Sequence, residues 1–422
     1  MKIVALVLTL CILGYANANL SAGATTSISG YYNVNKTTDA NLFYWFFEAQ
    51  TNPTTAPFII WLTGGPGCSS ELAIFYENGP FSLSEDMQLV NNPYSWNKVA
   101  NMLYVDSPVG TGFSYVSDPN GYSTNEEEVA ANLYSMLSQF MADHPQYAQL
   151  PFYVFGESYA GHYVPALSYF IYTKNQDPYS VHFNLKGLAV GNAMVYPAIQ
   201  YGSMGPMAYS HGLIGPLALK ETEGLVGSCV DAINSGSYND SNTICNEIMN
   251  VIQENAGPFN PYDVRKTCPP SLPLCYNFTL VGDYLAQPSV RQQLGVPTNV
   301  NWTLCSNVVY ADIINDWWNT EVAHIPILLE AGIRTLVYNG NMGWICNYLG
   351  SEAWVSQLEW SNNQQWNNAP RKIVMTGQNI GGYTQSYGGL TLMAVNNAGH
   401  MVPMDQPETS LNMVISFLNN KF

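Results

Sequence analysis

The run Phe152-Tyr153-Val154-Phe155-Gly156-Glu157-Ser158-Tyr159-Ala160-Gly161 decides the fold. Its first four residues are an apolar stretch too short for a helix, whereas Val164, Leu167, Phe170 and Ile171 beyond it recur at helical spacing. Strand, G-x-S-x-small, helix is the pattern of a nucleophile elbow, in which the serine occupies a strained backbone point with its oxygen projected outwards. Small residues are needed at Gly156 and Ala160, and the helix N-terminus then faces a developing oxyanion. Ser158 is the candidate nucleophile.

Working outward, further short apolar runs read as buried parallel strands: Phe58 to Leu62, Met102 to Val105, Leu188 to Val190, Thr335 to Tyr338 and Leu392 to Val395. Between them lie helical patterns. The clearest puts Val129, Leu133, Met136, Leu137 and Phe140 on one face behind the acids Glu126 to Glu128. Alternating strands and helices predict an α/β fold with a mostly parallel central sheet. The segment 196–322 breaks the alternation, is rich in Gly, Pro and Asn, and reads as an inserted cap. The expected division is a leader over 1–18, core over 19–195, cap over 196–322 and the rest of the core over 323–422.

Composition narrows the setting. Among 422 residues, 47% are hydrophobic, enough for a large core, and 30 Asp and Glu against 13 Lys and Arg give a net charge of −17. Such a balance opposes binding to a phosphate backbone, so no nucleic-acid partner is expected. Lys2, the apolar run Ile3 to Leu13 and the small residues Ala16-Asn17-Ala18 predict a signal peptide cleaved after Ala18. That run is too short to span a bilayer, and no later stretch is long enough. Without Cys11 seven cysteines remain, and an odd number in an oxidising compartment predicts three disulfides and one free thiol. No Cys/His grouping has zinc spacing, so no metal is expected. Asn35, Asn239, Asn277 and Asn301 each begin an N-x-Ser/Thr sequon, candidates for glycosylation in a lumenal or secreted chain.

An activated serine needs a base, and His400 follows the last predicted strand through Asn396-Asn397-Ala398-Gly399. Trp61 to Ser70, WLTGGPGCSS, follows an early strand, and its glycines let backbone N–H groups approach a reacting carbonyl. Together with NPYSWNKVANMLYVDSPVGTGFSY from Asn92, GESYAGHYVP from Gly156, ICNYLG from Ile345 and NAGHMVPMDQP from Asn397, these motifs resemble the serine carboxypeptidases in order along the chain.

The resemblance implies an α/β-hydrolase fold with an inserted cap, and an acyl-enzyme mechanism without a cofactor that removes residues from the C-termini of peptides or proteins. Ser158 would be the nucleophile, His400 the base, and the Gly65 and Tyr159 amides the oxyanion hole. The substrate carboxylate would be met at Thr63, Glu77 and Glu157, two carboxyls close enough to share a proton and so best suited to acid. The implied disulfides are Cys68 with Cys305, Cys229 with Cys245 and Cys268 with Cys275, leaving Cys346 free. The implied setting is the secretory pathway, ending in a lysosome or vacuole or outside the cell.

Two positions depart from the family pattern. Thr63 stands where the family has an amide-bearing Asn, and Gly343 stands where it has the triad aspartate. Asn341 is the nearby amide that could orient His400 instead. The competing readings are an impaired relative that keeps the pocket as a peptide-binding surface, or an acyltransferase acting on a small alcohol.

Overall fold

The computed structural model describes residues 26–422, so the expected signal peptide, its cleavage after Ala18 and Cys11 lie outside the described residues. In chain order the strands are β1 (Ser27–Asn35), β2 (Ala40–Phe47), β3 (Phe58–Leu62), β4 (Phe81–Leu83), β5 (Leu89–Asn91), β6 (Asn101–Val105), β7 (Phe152–Glu157), β8 (Leu185–Gly191), β9 (Phe259–Asn260), β10 (Asp263–Thr267), β11 (Arg334–Gly340), β12 (Lys372–Thr376), β13 (Asn379–Tyr387) and β14 (Leu390–Val395). The main sheet runs β1-β2-β6-β3-β7-β8-β11-β14-β13-β12. The six strands from β6 to β14 in that order are mutually parallel. They are the six apolar runs identified in the sequence. Antiparallel pairs close the two edges, β1 and β2 at one and β13 and β12 at the other.

Alternation along the central strands sends Ile60, Leu62 and Val154 to one face and Ile59, Trp61, Tyr153 and Phe155 to the other. Helices cover the first face: after α1 (Glu71–Tyr76), α2 (Glu126–Asp143) and α3 (Ala160–Lys174) pack there through Leu133, Phe140, Val164 and Leu167. Asn125 caps α2 by accepting the Glu128 N–H at 3.0 Å. Glu126 lies in the first turn of α2, where an acid is expected, and it is also buried beside Asp316 and Tyr159, so that burial pushes its carboxyl well above the usual carboxylate range.

Between β8 and β11 the chain leaves the sheet to form α4 (Pro197–Gln200), α5 (Met204–Ser210), α6 (Pro216–Asn234), α7 (Tyr238–Ala256) and the β9–β10 hairpin. Met204, Met207, Ile248 and Ile252 of these elements form an apolar cluster with Trp318 and with Trp344 from the turn after β11, over the C-terminal ends of the parallel strands.

Phe140 is the centre of the helix-to-sheet packing: its ring lies 5.4 Å from Tyr44, 5.4 Å from Phe46 and 5.7 Å from Phe58. Phe140→Ala is expected to lower unfolding free energy by about 3–5 kcal/mol, read from the urea midpoint at unchanged slope. A loss under about 1 kcal/mol would contradict this packing account.

Candidate functional site

The site grows from two neighbouring strands. β3 and β7 pair in parallel with Leu62 opposite Gly156, so the turns leaving their C-terminal ends collide unless side chains are absent. A Cβ on Gly156 would lie 2.6 Å from the Leu62 oxygen, and one on Gly64 would lie 2.3 Å from the Tyr159 nitrogen and 2.8 Å from the Ser158 Cβ. The glycine turn therefore lies backbone to backbone against the elbow. Ser158 itself has φ 64, a left-handed conformation that costs a non-glycine residue roughly 1–3 kcal/mol. Three backbone bonds hold it there: its N–H donates to Gly191 at 3.0 Å, and its carbonyl accepts from Gly161 and Met194 at 3.0 Å each.

The facing turn is anchored from below and outside. Asp106 accepts the Ser70 N–H at 3.0 Å, and Ser69 and Gly67 exchange backbone bonds with Leu304 and Ser306 around the Cys68–Cys305 disulfide. The Gly65 and Tyr159 amides, the candidate oxyanion donors, do not donate to any backbone carbonyl among the described residues.

A cavity of about 330 Å³ opens above, lined by Thr63, Gly65, Glu157, Ser158, Tyr201, Met249, Trp317, Trp318, Ile345 and His400 among others. Its roof comes from the cap, and Glu157 is the acid on its lining. Glu77 lies behind Glu157, both buried. Were both ionised, Glu77 Oε1 and Oε2 and Glu157 Oε2 would be buried without a partner. One shared proton gives an oxygen of each carboxyl a partner. Burial raises both: Glu77 to about 7, although its hydrogen bond with Glu157 pulls it down, and Glu157 well above its ordinary value, with the Glu77 carboxyl pushing it further. The Tyr338 hydroxyl, buried and near both, is a member of this group that the sequence reading missed. Thr63 accepts the Trp61 indole N–H on its hydroxyl oxygen at 3.0 Å, which leaves its own hydrogen to donate.

His400 is 2% exposed and stands against the Tyr262 ring of the cap hairpin, whose carbonyl accepts its backbone N–H at 2.7 Å. Its Nδ1 lies 3.3 Å from the Ile345 carbonyl, and its Nε2 is buried without a partner. Burial lowers its pKa to about 4, a shift that the Ile345 carbonyl partly opposes. Gly343 adjoins it: a Cβ there would lie 3.0 Å from the His400 nitrogen and 3.0 Å from Asn192 Nδ2, itself a buried donor without a partner. The role expected of Asn341 is corrected. Its amide donates to Asn396 at 3.3 Å and accepts the Asn397 N–H at 3.0 Å, tying two loops together, whereas His400 Nδ1 is met by the Ile345 carbonyl.

Cys68–Cys305, Cys229–Cys245 and Cys268–Cys275 are bonded, and Cys346 is a buried free thiol pushed up to about 12 by burial. Asn35, Asn239, Asn277 and Asn301 are all exposed. Among the described residues no group of three or more His, Cys, Asp or Glu is placed to hold a metal, and no helix is long and apolar enough to cross a membrane. Asn192 and the Ile345 carbonyl carried no sequence signal.

Gly64→Ala drives a methyl group into the Tyr159 amide. Labelling of Ser158 by a fluorophosphonate is expected to slow by roughly 100-fold or more, the cost of losing one oxyanion donor, while far-UV circular dichroism stays unchanged. Labelling at the wild-type rate would contradict the geometry.

A model of the serine carboxypeptidase family matches residues 20–420. Over 397 residues the chain is 57% identical to "Serine carboxypeptidase S10 family member 1" of Dictyostelium discoideum, covering 94% of this chain and 95% of the relative. It is 42% identical to "Serine carboxypeptidase-like 48" of Arabidopsis thaliana, over 93% of this chain and 78% of that one. Among solved structures, the Saccharomyces cerevisiae Kex1 prohormone-processing carboxypeptidase superimposes with a TM-score of 0.84 at 26% identity, covering 94% of this chain and 91% of that one. With its parallel sheet, elbow and cap, the chain belongs to the serine carboxypeptidase family and has the α/β-hydrolase fold.

Proposed function

We propose that this chain is a serine-type carboxypeptidase that releases C-terminal residues from peptides in acid, with a turnover reduced by the absence of an acid at position 343. The observation that carries this reading is the buried Glu77–Glu157 pair, which opens through Glu157 into the cavity that holds Ser158 and His400. A proton held between two carboxyls becomes a donor for a third, the free carboxylate of a peptide. The Thr63 hydroxyl adds a second donor.

The chemistry follows from the placement. Ser158 Oγ attacks the carbonyl carbon of the last peptide bond as its proton passes to His400 Nε2, and the oxyanion meets the Gly65 and Tyr159 amides. His400 returns the proton to the leaving nitrogen, the C–N bond breaks and an acyl-enzyme remains. Water, deprotonated by His400, then releases the acid. An ionised triad carboxylate would stabilise the imidazolium formed on the way, and Gly343 offers none. That vacancy also favours a second reading, an impaired member that binds peptide C-termini without turning them over. The orientation of Thr63 weighs against an acyltransferase, because it keeps a donor for the carboxylate.

The leader expected from residues 1–18, the four exposed sequons and three disulfides support passage through the secretory pathway to a lysosome, vacuole or the exterior, with glycans on Asn35, Asn239, Asn277 and Asn301. Residues 196–322 are assigned to the cap.

Two measurements test the enzymatic reading. A fluorophosphonate is expected to label Ser158 in the wild type and not in His400→Ala; absence of wild-type labelling at any pH contradicts catalysis. The kcat/KM profile is expected to be bell-shaped. His400 must be neutral to act, so the rate is lost below about pH 4. The glutamate pair must keep its shared proton, so the rate is lost again as pH rises through the range in which Glu157, held well above its ordinary value, gives that proton up. A profile still rising above pH 8 would remove the glutamates from substrate binding.

A further inference from the structure

We infer that the main-chain carbonyl of Ile345 holds His400 in the tautomer and orientation that a triad carboxylate would otherwise impose, a positioning role that rests on reading His400 as the base. A carbonyl oxygen carries no hydrogen, so its 3.3 Å approach to Nδ1 is a hydrogen bond only when the proton sits on Nδ1. The lone pair then falls on Nε2, the ring nitrogen without a partner, in the cavity shared with Ser158. That is the tautomer a general base requires.

The carbonyl is itself fixed on both sides. The Trp344 and Ile345 N–H groups donate to Pro261 of the cap at 3.1 and 3.0 Å. Beyond it the Cys346 carbonyl accepts Asn339 Nδ2 at 2.9 Å, and Cys346 sits at φ 49. The turn is thus clamped between cap and sheet.

Other acceptors near His400 are engaged elsewhere. Asp405 accepts the Gly399 N–H at 2.7 Å, and Asp263 is paired with Arg265 and Lys266 at 2.8 and 2.9 Å. The Asn341 oxygen is taken by Asn397, and Gly343 has no side chain. Burial and the Ile345 carbonyl are what set the protonation of His400, with no ionised partner contributing.

A carbonyl and a carboxylate differ in one respect that can be measured. Either one selects the tautomer, but only the carboxylate neutralises the imidazolium. Replacing a triad Asp by Asn in a trypsin-like enzyme selects the wrong tautomer and costs roughly 10⁴ in kcat. Here the tautomer is the right one, so restoring a carboxylate has less to recover.

The decisive test is ¹⁵N NMR of the full chain labelled in its histidine rings, with the His400 signals assigned by their loss in His400→Gln. A single neutral tautomer protonated on Nδ1 is expected across the active pH range. A tautomer protonated on Nε2, or an exchanging mixture, overturns the inference. As a second readout, Gly343→Asp is expected to raise kcat by roughly 10- to 100-fold and to shift the acid limb of kcat/KM to higher pH, whereas Gly343→Ala, whose Cβ meets the His400 backbone nitrogen and Asn192 Nδ2 at 3.0 Å but brings no charge, leaves that limb where it is. A gain approaching 10⁴ would mean that the wild-type tautomer is wrong, and would likewise overturn it. The two readings fail separately. If Ser158 is not labelled by a fluorophosphonate in a chain whose His400 is protonated on Nδ1, catalysis falls and the positioning stands. If Ser158 is labelled and His400 is the other tautomer, the positioning alone falls.

Discussion

Everything at the site depends on one close approach, the backbone of Gly64 against the Tyr159 amide beside the left-handed Ser158. β3 and β7 are hydrogen-bonded neighbours, so little space separates the turns at their ends, and a single methyl group at position 64 would come within 2.3 Å of the Tyr159 amide nitrogen. The strain at Ser158 persists because β8 and the loop after it supply bonds that no relaxed conformation would keep. The sheet register is therefore the origin of the geometry, and the disulfide Cys68–Cys305 and the Asp106 carboxylate hold the other wall in place.

The second governing fact is that this acidic chain buries carboxyls without cations. Glu77 with Glu157, Glu71 with Asp106, and Glu126 with Asp316 are each pushed upward, burial being the first cause in every case. A carboxyl whose folded pKa lies above its unfolded one is bound to its proton more tightly in the native state. Stability from such groups is complete at low pH and falls as pH rises from the unfolded pKa through the folded one. These carboxyls therefore favour the native state more in acid than at neutral pH. Glu126 and Asp316 extend this logic to the pocket wall, since Asp316 precedes the cavity-lining Trp317, whose ring stacks 5.4 Å from Tyr159.

The central fold was legible because a parallel strand buried on both faces leaves a continuous apolar run, and six such runs became six parallel strands. The edges were harder. β1 reads SISGYYNVN and β12 and β13 are largely exposed, so neither the run nor the alternation stands out, and β2, although wholly buried, lies outside the strand-helix rhythm. At the site, Ser158, His400 and the glycine turn were readable from motif and chain order. What meets His400 Nδ1 was not, because a main-chain carbonyl is present at every residue and only the folded turn brings the one at Ile345 to the ring. Asn341 was the reasonable side-chain candidate, and its amide is used instead to join two loops. The place of Glu126 at a helix start was legible, but its burial was not, because that depends on the tertiary packing over it.

The claim that unites these features is recognition of a free terminal carboxylate by a protonated acid pair. It is tested most directly by comparing kcat/KM for one peptide with a free C-terminus and for the same peptide as its C-terminal amide, across pH. The account predicts that the free acid is strongly preferred in acid and that the preference collapses as pH rises far enough for Glu157, held well above its ordinary value, to lose the shared proton. Equal use of acid and amide at every pH would contradict it.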